Sequence, residues 1–405
     1  MAHGMRESRG WLLFICTATH VFVHVFTMMH VALIPVFMEE FSLSIYEAGF
    51  LASMPQTLSI LVSLPYGFIS DRIDPRKLMA ISLLMAGFSG LAASYARNFI
   101  MLLIFVSFIP LSSMIYHPPV LKIVSEMFPD RRQSRVLGIH GAGGALGVAI
   151  GPITLGLMLE RFGWRFSYLV WCVPVLLSVL LTLTLPYVGA GEKREVAGGS
   201  GESAENKNGE LNDARRGYLL LLLAMGVDSI GKQALSAYMT TYMVSVRDFS
   251  ESNASLLFGL NPFIGIFGSL AGGYLGARFG SKRWMITAYV VRALAYLGIW
   301  LGPLWMLAPV YLTGGFFGTS ALGPMSTLIA RYSPAERRGL AYTVSMMLPS
   351  LVGSVSPLIA AWLIEGFSII GLFPFTIALT LLSASVLQTL PKEDRFYNLE
   401  RKLTH

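Results

Sequence analysis

The sequence predicts an all-α membrane protein with twelve transmembrane helices in two pseudo-symmetric bundles of six. Of its 405 residues, 54% are hydrophobic and only 13% are charged, whereas about 25% of the residues of a soluble domain are charged. Its apolar runs reach the roughly 20 residues that cross a bilayer as a helix, about twice the length of a transmembrane β-strand. The two halves also share a pattern of basic residues, glycine and proline, which indicates an internal repeat.

The apolar runs, and the polar or turn-forming residues between them, place the helices in order. The first run follows Arg6 and Arg9 and is too long for the apolar core of a signal peptide, so we expect it to be retained. The predicted ranges are 11–37, 46–70, 78–96, 99–127, 136–159, 166–188, 217–245, 252–276, 284–302, 304–330, 339–362 and 368–390.

One long polar segment, 189–216, separates the sixth and seventh predicted helices. It is rich in Gly, Ser, Glu, Asn and Lys, and such a segment cannot bury enough apolar surface to fold. We expect a mobile cytoplasmic linker here, between an N-terminal six-helix bundle, 1–188, and a C-terminal bundle with a short tail, 217–405.

The basic residues predict the orientation of the chain in the cytoplasmic (inner) membrane. With an even number of helices both termini lie on one side, and the loops of that side, with the termini, hold most of the 30 Lys and Arg residues. Because cytoplasmic loops are enriched in Lys and Arg, both termini are expected in the cytoplasm. The basic clusters are short and separated by apolar runs, so the net charge of +7 reflects topology and predicts no nucleic-acid partner.

A constant offset along the sequence superimposes parts of the second half on the first. It carries Gly67 onto Gly273, Arg72 onto Arg278 and Pro118 onto Pro324. Parallel six-helix repeats are a known transporter design, with the substrate site near the membrane midplane at the repeat interface. A receptor or an intramembrane enzyme has no need of this symmetry.

Two motifs resemble signatures of the major facilitator superfamily. The loop after predicted helix 2 is similar to GxxxDRxGRR, with Asp74 where a glycine is usual, and predicted helix 5 resembles the GxxxGPxxxG signature of proton-driven exporters. Residues 116–152 also resemble the fosmidomycin-resistance-type exporters, which carry a His-Pro pair in helix 4 and a glycine-rich helix 5. The matching residues of the two motifs are Gly67, Asp71, Arg72, Arg76, Lys77, Gly147, Gly151, Pro152 and Gly156.

These motifs also have a direct physical interpretation. The basic residues of the loop anchor it at the cytoplasmic surface, and Asp71 can accept hydrogen bonds at a helix N-terminus and latch the inner side. The glycines allow helices to approach closely, while Pro152 frees a carbonyl and bends its helix. Simple packing of small residues explains the glycines equally well, and a gating role is the added hypothesis.

Histidines within the apolar runs are candidates for proton exchange. An ionisable group at the bilayer centre costs roughly 2.5 to 3.5 kcal/mol on insertion scales, so it is a functional candidate by default. His20 and His24 lie four residues apart, on one face of predicted helix 1, and His117 lies on predicted helix 4. Imidazole titrates near neutral pH, as a proton carrier must. The alternative is a neutral histidine that hydrogen-bonds to a neighbouring helix; His30 and His140 are weaker candidates.

Predicted helix 7 carries Asp228 and Lys232, four residues apart on one face. The superfamily resemblance implies that helices 1, 4, 7 and 10 line a central cavity, where Asp228 would exchange a proton and Lys232 would bind an anionic substrate. The alternative is a local ion pair between the two. Arg292 is isolated on predicted helix 9, which the resemblance makes peripheral, so we expect a structural partner for it.

Other polar residues are candidate liners of the same cavity. Lys122 adds positive charge on predicted helix 4, unless it snorkels to the inner surface beside Glu126. The remaining candidates are Gln56, Tyr116, Tyr238 and Asn261.

The sequence therefore predicts a secondary active transporter that works by alternating access. No GxxxxGK[ST] motif for ATP occurs, so an ion gradient must supply the energy, and we expect proton-coupled export of a small anionic or amphiphilic organic compound. Proton-coupled uptake of an organic anion is the main alternative, and a non-transporting sensor is a third. We expect a monomer in the lipid bilayer with a small-molecule substrate, no enzymatic activity, no cofactor and no metal.

Overall fold

The computed structural model describes residues 2–70, 72–128, 133–185, 207–333 and 338–391. These residues are almost entirely helical, and no strand occurs among them. Within the described ranges, nine helices are long and apolar enough to cross a membrane. The helices are α1 (Ala2–His24), α2 (Met29–Ala32), α3 (Ile34–Glu40), α4 (Ile45–Ser70), α5 (Pro75–Ser94), α6 (Phe99–Met127), α7 (Gln133–Thr182), α8 (Lys207–Ser245), α9 (Glu251–Phe279), α10 (Ser281–Leu301), α11 (Leu304–Ser320), α12 (Leu322–Tyr332), α13 (Arg338–Phe367) and α14 (Leu372–Gln388).

Four of the predicted helices differ from the predicted pattern. Predicted helix 1 is broken after His24 into α1, α2 and α3, and predicted helix 10 is divided at Ala321 into α11 and α12. Predicted helices 5 and 6 run on as α7, which is kinked at Gly163, where φ is 75° and ψ is 165°, a conformation that glycine adopts without strain. When the broken helices are joined and α7 is divided at its kink, the described residues form twelve membrane segments. The predicted all-α fold with twelve helices is confirmed.

The seventh membrane segment, α8, begins at Lys207, inside the segment predicted as a linker. Residues 207–216 carry no long apolar run, but the Lys, Glu, Leu, Ala and Arg among them are strong helix formers. The helix therefore extends from the membrane into part of the predicted linker. Residues 189–206 lie outside the described residues.

Contacts between Cα atoms divide the chain into two compact units. Unit 1 comprises Met1–Glu192 and Ala237–Phe263, and unit 2 comprises Lys193–Ser236 and Ile264–His405. Two of the boundaries between the units fall inside α8 and α9. The sequence, in contrast, predicts two bundles divided only at 189–216. The bounds of those bundles stay a prediction.

Within unit 1, α1 packs against α7, α5 packs against both α6 and α7, and α4 packs against α6. Aromatic rings fill the space beyond the break in the first membrane segment. The ring of Phe26 stacks on Tyr168 with centroids 5.5 Å apart, and Phe37 meets Trp164 edge-on at 4.9 Å. Such offset and edge-to-face pairs stabilise a core beyond the area they bury.

Within unit 2, α10 packs against α11, α12 and α14. Its core includes Met285, Leu328 and Leu387, all of them fully buried. Lys282, in the first turn of α10, donates hydrogen bonds from Nζ to the carbonyl oxygens of Gln388 and Leu390, at 2.8 and 2.6 Å. The last carbonyls of a helix have no partner within it, so this lysine satisfies the end of α14.

Candidate functional site

Four histidine side chains converge in unit 1. His20 and His24 come from α1, His117 from α6 and His140 from α7. The ring centroids of His20 lie 4.9 Å from His24, 5.1 Å from His117 and 4.0 Å from His140, and the His24 and His117 rings are 5.3 Å apart. The structure thus brings together the three histidines singled out in the sequence, with His140 as the fourth member; we call these four residues the histidine cluster.

The hydrogen bonding of His20 fixes which of its nitrogens carries the proton. Its Nδ1 lies 2.7 Å from the backbone oxygen of His140. A carbonyl oxygen only accepts hydrogen bonds, so Nδ1 carries the hydrogen and the neutral ring has its lone pair on Nε2. That Nε2 atom is buried and has no hydrogen-bond partner among the described residues.

His24 is the last residue of α1, and the backbone tightens after it. The amide of Thr27 donates to the carbonyl oxygen of His24 at 3.0 Å, three residues back instead of four. The Nδ1 atom of His24 lies 3.3 Å from Oγ1 of Thr27, and its Nε2 lies 3.3 Å from Oγ of Ser113 on α6. His24 and His117 are half-buried, whereas His20 and His140 are buried. The prediction that His24 and His117 exchange protons stays a prediction.

Tyr116 holds α6 against α1 beside this cluster. Its hydroxyl donates to the carbonyl oxygen of Cys16 at 2.8 Å and lies 2.7 Å from Oγ1 of Thr19. The side chain is fully buried, so the geometry gives Tyr116 a packing role; its role as a cavity liner stays a prediction.

Glycines of α7 form the surface on which α1 lies. A Cβ atom on Gly147 would meet the carbonyl oxygen of Val21, and one on Gly151 would meet that of Val25. A Cβ on Gly144 would lie 2.6 Å from Nε2 of His20. The backbone of α1, that of Val25 just after it, and the His20 ring therefore occupy the space that these glycines leave, which supports the packing explanation of the motif. Pro152 follows directly inside α7, and the gating role stays a prediction.

In unit 2, Asp228 on α8 pairs with Arg292 on α10. The Arg292 guanidinium donates to Oδ1 of Asp228. The side chain of Arg292 is 3% exposed and that of Asp228 is 9% exposed. The guanidinium also lies over the ring of Tyr289, 4.7 Å from its centroid. Arg292 therefore has the structural partner expected of it. The local alternative, an ion pair between Asp228 and Lys232, is wrong, because Asp228 pairs with Arg292. A planar guanidinium matches a carboxylate better than a lysine ammonium does.

Lys232 lies one helical turn after Asp228 and is exposed. Taken together, Asp228, Arg292 and Lys232 carry two positive charges and one negative charge. A net positive charge on membrane-spanning helices favours a bound anion.

The structure places the remaining predicted liners on four different helices. Gln56 on α4, Lys122 on α6 and Asn261 on α9 are half-buried. Tyr238 on α8 is buried, and its hydroxyl donates to the carbonyl oxygen of Ile45 at 2.8 Å. Their contact with substrate stays a prediction.

The structure describes the loop motif after α4 in part. Asp71 lies outside the described residues, and nothing is described of the contacts at Gly67. The latch between Asp71 and a helix N-terminus therefore stays a prediction. Arg72 and Lys77 are exposed. Asp74, the departure from the family pattern, caps α5: its carboxylate accepts from the backbone amide of Arg76 at 3.0 Å and pairs with the Arg76 guanidinium at 2.9 Å.

We expect Asp74→Ala to destabilise the protein by about 1 kcal/mol, because the first turn of α5 loses its cap. Hydrogen bonds from Arg76 hold the pKa of the Asp74 carboxyl below its usual value. The stabilisation is therefore complete above the unfolded pKa of about 3.9 and is lost as the pH falls through the lower folded value. Thermal unfolding in detergent at pH 7 and at pH 3 measures both effects. Asp74→Asn keeps a capping oxygen but has no carboxyl group, so it should lose the pH dependence and yet lose less stability at pH 7 than Asp74→Ala. An equal loss of stability at pH 7 in the two variants would contradict this account.

Two polar contacts of Glu40 in unit 1 do not follow from the sequence patterns. Glu40, at the end of α3, pairs with Arg165 of α7 at 2.6 Å and accepts from Nε1 of Trp164 at 2.5 Å. Both partners lie just after the Gly163 kink. The sequence offered only the repeated aromatic and basic residues of 161–168 as a signal.

Comparisons with known proteins agree with this architecture. The chain is 22% identical over 340 residues to the cis,cis-muconate transport protein of Acinetobacter baylyi, covering 82% of this chain and 81% of that protein. It is 24% identical over 328 residues to the multi-drug resistance efflux pump PmrA homolog of Lactococcus lactis subsp. lactis, covering 78% and 77%. The crystal structure of a D-xylose–proton symporter has the same fold, with a TM-score of 0.77 at 14% identity over 95% of this chain and 98% of the other.

The family model described as Major Facilitator Superfamily matches residues 16–221 and 221–403. These two matches cover nearly the whole sequence, one in each half. The chain therefore belongs to the Major Facilitator Superfamily.

Proposed function

We propose that this protein couples the transport of a small organic carboxylate to protons. Membership of the superfamily makes the chain a multi-pass membrane protein and a secondary transporter of small organic solutes. The proposal adds the charge of the substrate and the coupling ion. The observation that carries it is the group of Asp228, Arg292 and Lys232 on the membrane helices of unit 2.

The charges of this group match an anionic substrate. Arg292 is buried and neutralised by Asp228, while Lys232 is exposed one turn away. We assign Lys232 to the first contact with a carboxylate and Arg292 to a second contact that becomes available when Asp228 takes up a proton. Arg presents a planar fork that suits carboxylates. The relative named for transport of muconate, a dicarboxylate, supports the same substrate class.

The sign of the coupling follows from this arrangement. A proton on Asp228 removes the negative charge that competes with the substrate for Arg292, so proton and anion bind together more tightly than either alone. By linkage the effect is reciprocal. Joint binding is the requirement for symport, so the geometry favours proton-coupled uptake. This proposal takes the transporter as a monomer with both termini in the cytoplasm.

Export, as predicted from the sequence, is the second candidate. What supports it is the motif of Gly147, Gly151 and Pro152 in α7, which resembles the exporter signature. The relative named as an efflux pump supports the same direction.

The test is flux in liposomes that contain the purified full-length protein, with labelled cis,cis-muconate as the first probe and other dicarboxylates after it. Symport predicts accumulation when the side from which the substrate enters is acidic, and loss of accumulation with a protonophore. Antiport predicts accumulation only with the opposite gradient. Flux that is independent of both gradients would overturn the proton coupling.

We expect Lys232→Gln to lower anion flux at least about tenfold, because one full charge on the anion path is lost, a difference of about 1.4 kcal/mol in transition-state binding. Arg97→Gln is the matched control, since Arg97 is an exposed cation in the loop between α5 and α6. The control should transport as the unaltered protein does. Equal flux in the two variants would show that Lys232 is not on the anion path.

A further inference from the structure

Three imidazoles of the histidine cluster have ligand atoms close enough to share one ion. The nitrogen atoms of His20, His24 and His117 that can act as ligands lie within 4.8 Å of one another. We propose that these three side chains bind one divalent transition-metal ion of the Zn²⁺ type. This site uses residues of unit 1 alone and does not depend on the proposed function.

The state of His20 is the second observation that points to a ligand. The residue is 5% exposed, and its Nε2 has no hydrogen-bond partner in the part of the chain that the structure describes. The hydrogen bond from Nδ1 to the carbonyl oxygen of His140 leaves the lone pair on Nε2. Metal-binding histidines commonly donate their other N–H to a carbonyl or carboxylate in this way, which fixes the tautomer and orients the ring.

The absence of a side chain at Gly144 lets the His20 ring, with its Nε2, take its position against α7. A Cβ there would lie 2.6 Å from the nitrogen. In a tetrahedral zinc site with bonds of about 2.0 Å the ligand nitrogens are about 3.3 Å apart, so the rings must move closer than they are without an ion. His24 and His117 are half-buried, and α1 ends at His24, so these two rings have room to turn.

The ligand set defines the class of ion. Neutral imidazole nitrogens suit Zn²⁺, Co²⁺, Ni²⁺ and Cu²⁺, whereas Mg²⁺ and Ca²⁺ prefer oxygen ligands. Three histidines leave a fourth tetrahedral position for water or an anion. Because His20 and His24 lie on α1 and His117 lies on α6, a bound ion joins these two helices of unit 1.

The test uses the full-length protein in detergent, purified with a tag that contains no histidine and stripped of metal with EDTA. Titration with Co²⁺ alone should give the visible absorption of a tetrahedral site and saturate at one ion per chain. Zn²⁺ should displace the Co²⁺ and raise the thermal unfolding midpoint, because binding to the folded state stabilises it. No saturable Co²⁺ site in the unaltered protein would overturn the proposal.

Substitutions assign the ligands. His20→Ala, His24→Ala and His117→Ala should each weaken Co²⁺ binding by at least about tenfold, the lower end of what loss of a supporting residue costs. His30→Ala is the matched control, since His30 is a buried histidine of α2 outside the cluster, and it should bind Co²⁺ as the unaltered protein does. Unchanged affinity in all three ligand variants would place the ion elsewhere.

A further variant and a chemical measurement keep the test decisive if a ligand variant fails to fold. Gly144→Ala keeps every histidine but adds a methyl group beside Nε2 of His20, and it should weaken Co²⁺ binding as well. In the unaltered protein, Zn²⁺ should protect His24 and His117 from diethylpyrocarbonate, as mapped by mass spectrometry. Equal modification of both histidines with and without Zn²⁺ would contradict the site.

Discussion

Gly151→Ala is expected to destabilise the protein by at least about 3 kcal/mol, the upper end of the usual cost of overpacking. The added Cβ would meet the backbone carbonyl oxygen of Val25, and backbone cannot turn aside as a flexible side chain can. Val25 directly follows α1, so the end of α1 would have to move away from α7. Two residues of the histidine cluster lie on α1. Thermal unfolding of the protein in detergent, together with the yield of monodisperse protein, measures the effect.

Gly141→Ala is the matched control because it makes the same chemical change in the same helix. No atom of the described residues lies within 4 Å of a Cβ at Gly141, and alanine is favoured over glycine in a helix by up to about 1 kcal/mol. The control should therefore be neutral or slightly stabilising. If Gly151→Ala behaved like Gly141→Ala, the contact between α7 and α1 would not be tight, and packing would no longer explain the glycine motif.

What the sequence could predict was mainly local. His20 and His24 were expected on one face because residues four apart lie together on any α-helix, and their rings are 4.9 Å apart. The apolar runs located the membrane helices because the bilayer imposes their length. Neither prediction required knowledge of which helices pack together.

The missed features depend on distant parts of the chain. The partner of Asp228 is Arg292, which lies on another helix. No sequence spacing predicts that these two residues meet. The break after His24 falls where the sequence has no glycine or proline, so packing within unit 1 must override the local preference for helix. The sequence also predicted no metal: His20 and His24 share one face of α1, but His117 joins them only when α1 packs beside α6.

Asp74 illustrates an intermediate case. It stands where the family pattern has a glycine, but it has the chemistry of a good helix cap and lies directly before Pro75. Pro at the first helical position and Asp before it are both start signals for a helix. The cap was therefore readable from the sequence by local rules, whereas the ion pair with Arg76 needed the structure.

Arg292→Met is expected to cost about 3 to 5 kcal/mol of stability, the usual result of removing one member of a buried ion pair. The variant would leave the Asp228 carboxylate buried without its guanidinium, in a side chain only 9% exposed. The measurement is again thermal unfolding in detergent. Lys232→Met is the control, since Lys232 is exposed on the same helix as Asp228, and it should change stability by less than about 1 kcal/mol.

The double variant Asp228→Leu with Arg292→Met separates stability from function. Replacing a whole buried ion pair by apolar side chains of similar volume is often neutral or stabilising, because both charges are then relieved of desolvation. We expect the double variant to regain most of the stability lost in Arg292→Met and yet to accumulate no carboxylate under a pH gradient. A stable double variant with normal gradient-driven flux would show that the pair only fixes the helices, and the proton and substrate roles assigned to Asp228 and Arg292 would then be wrong.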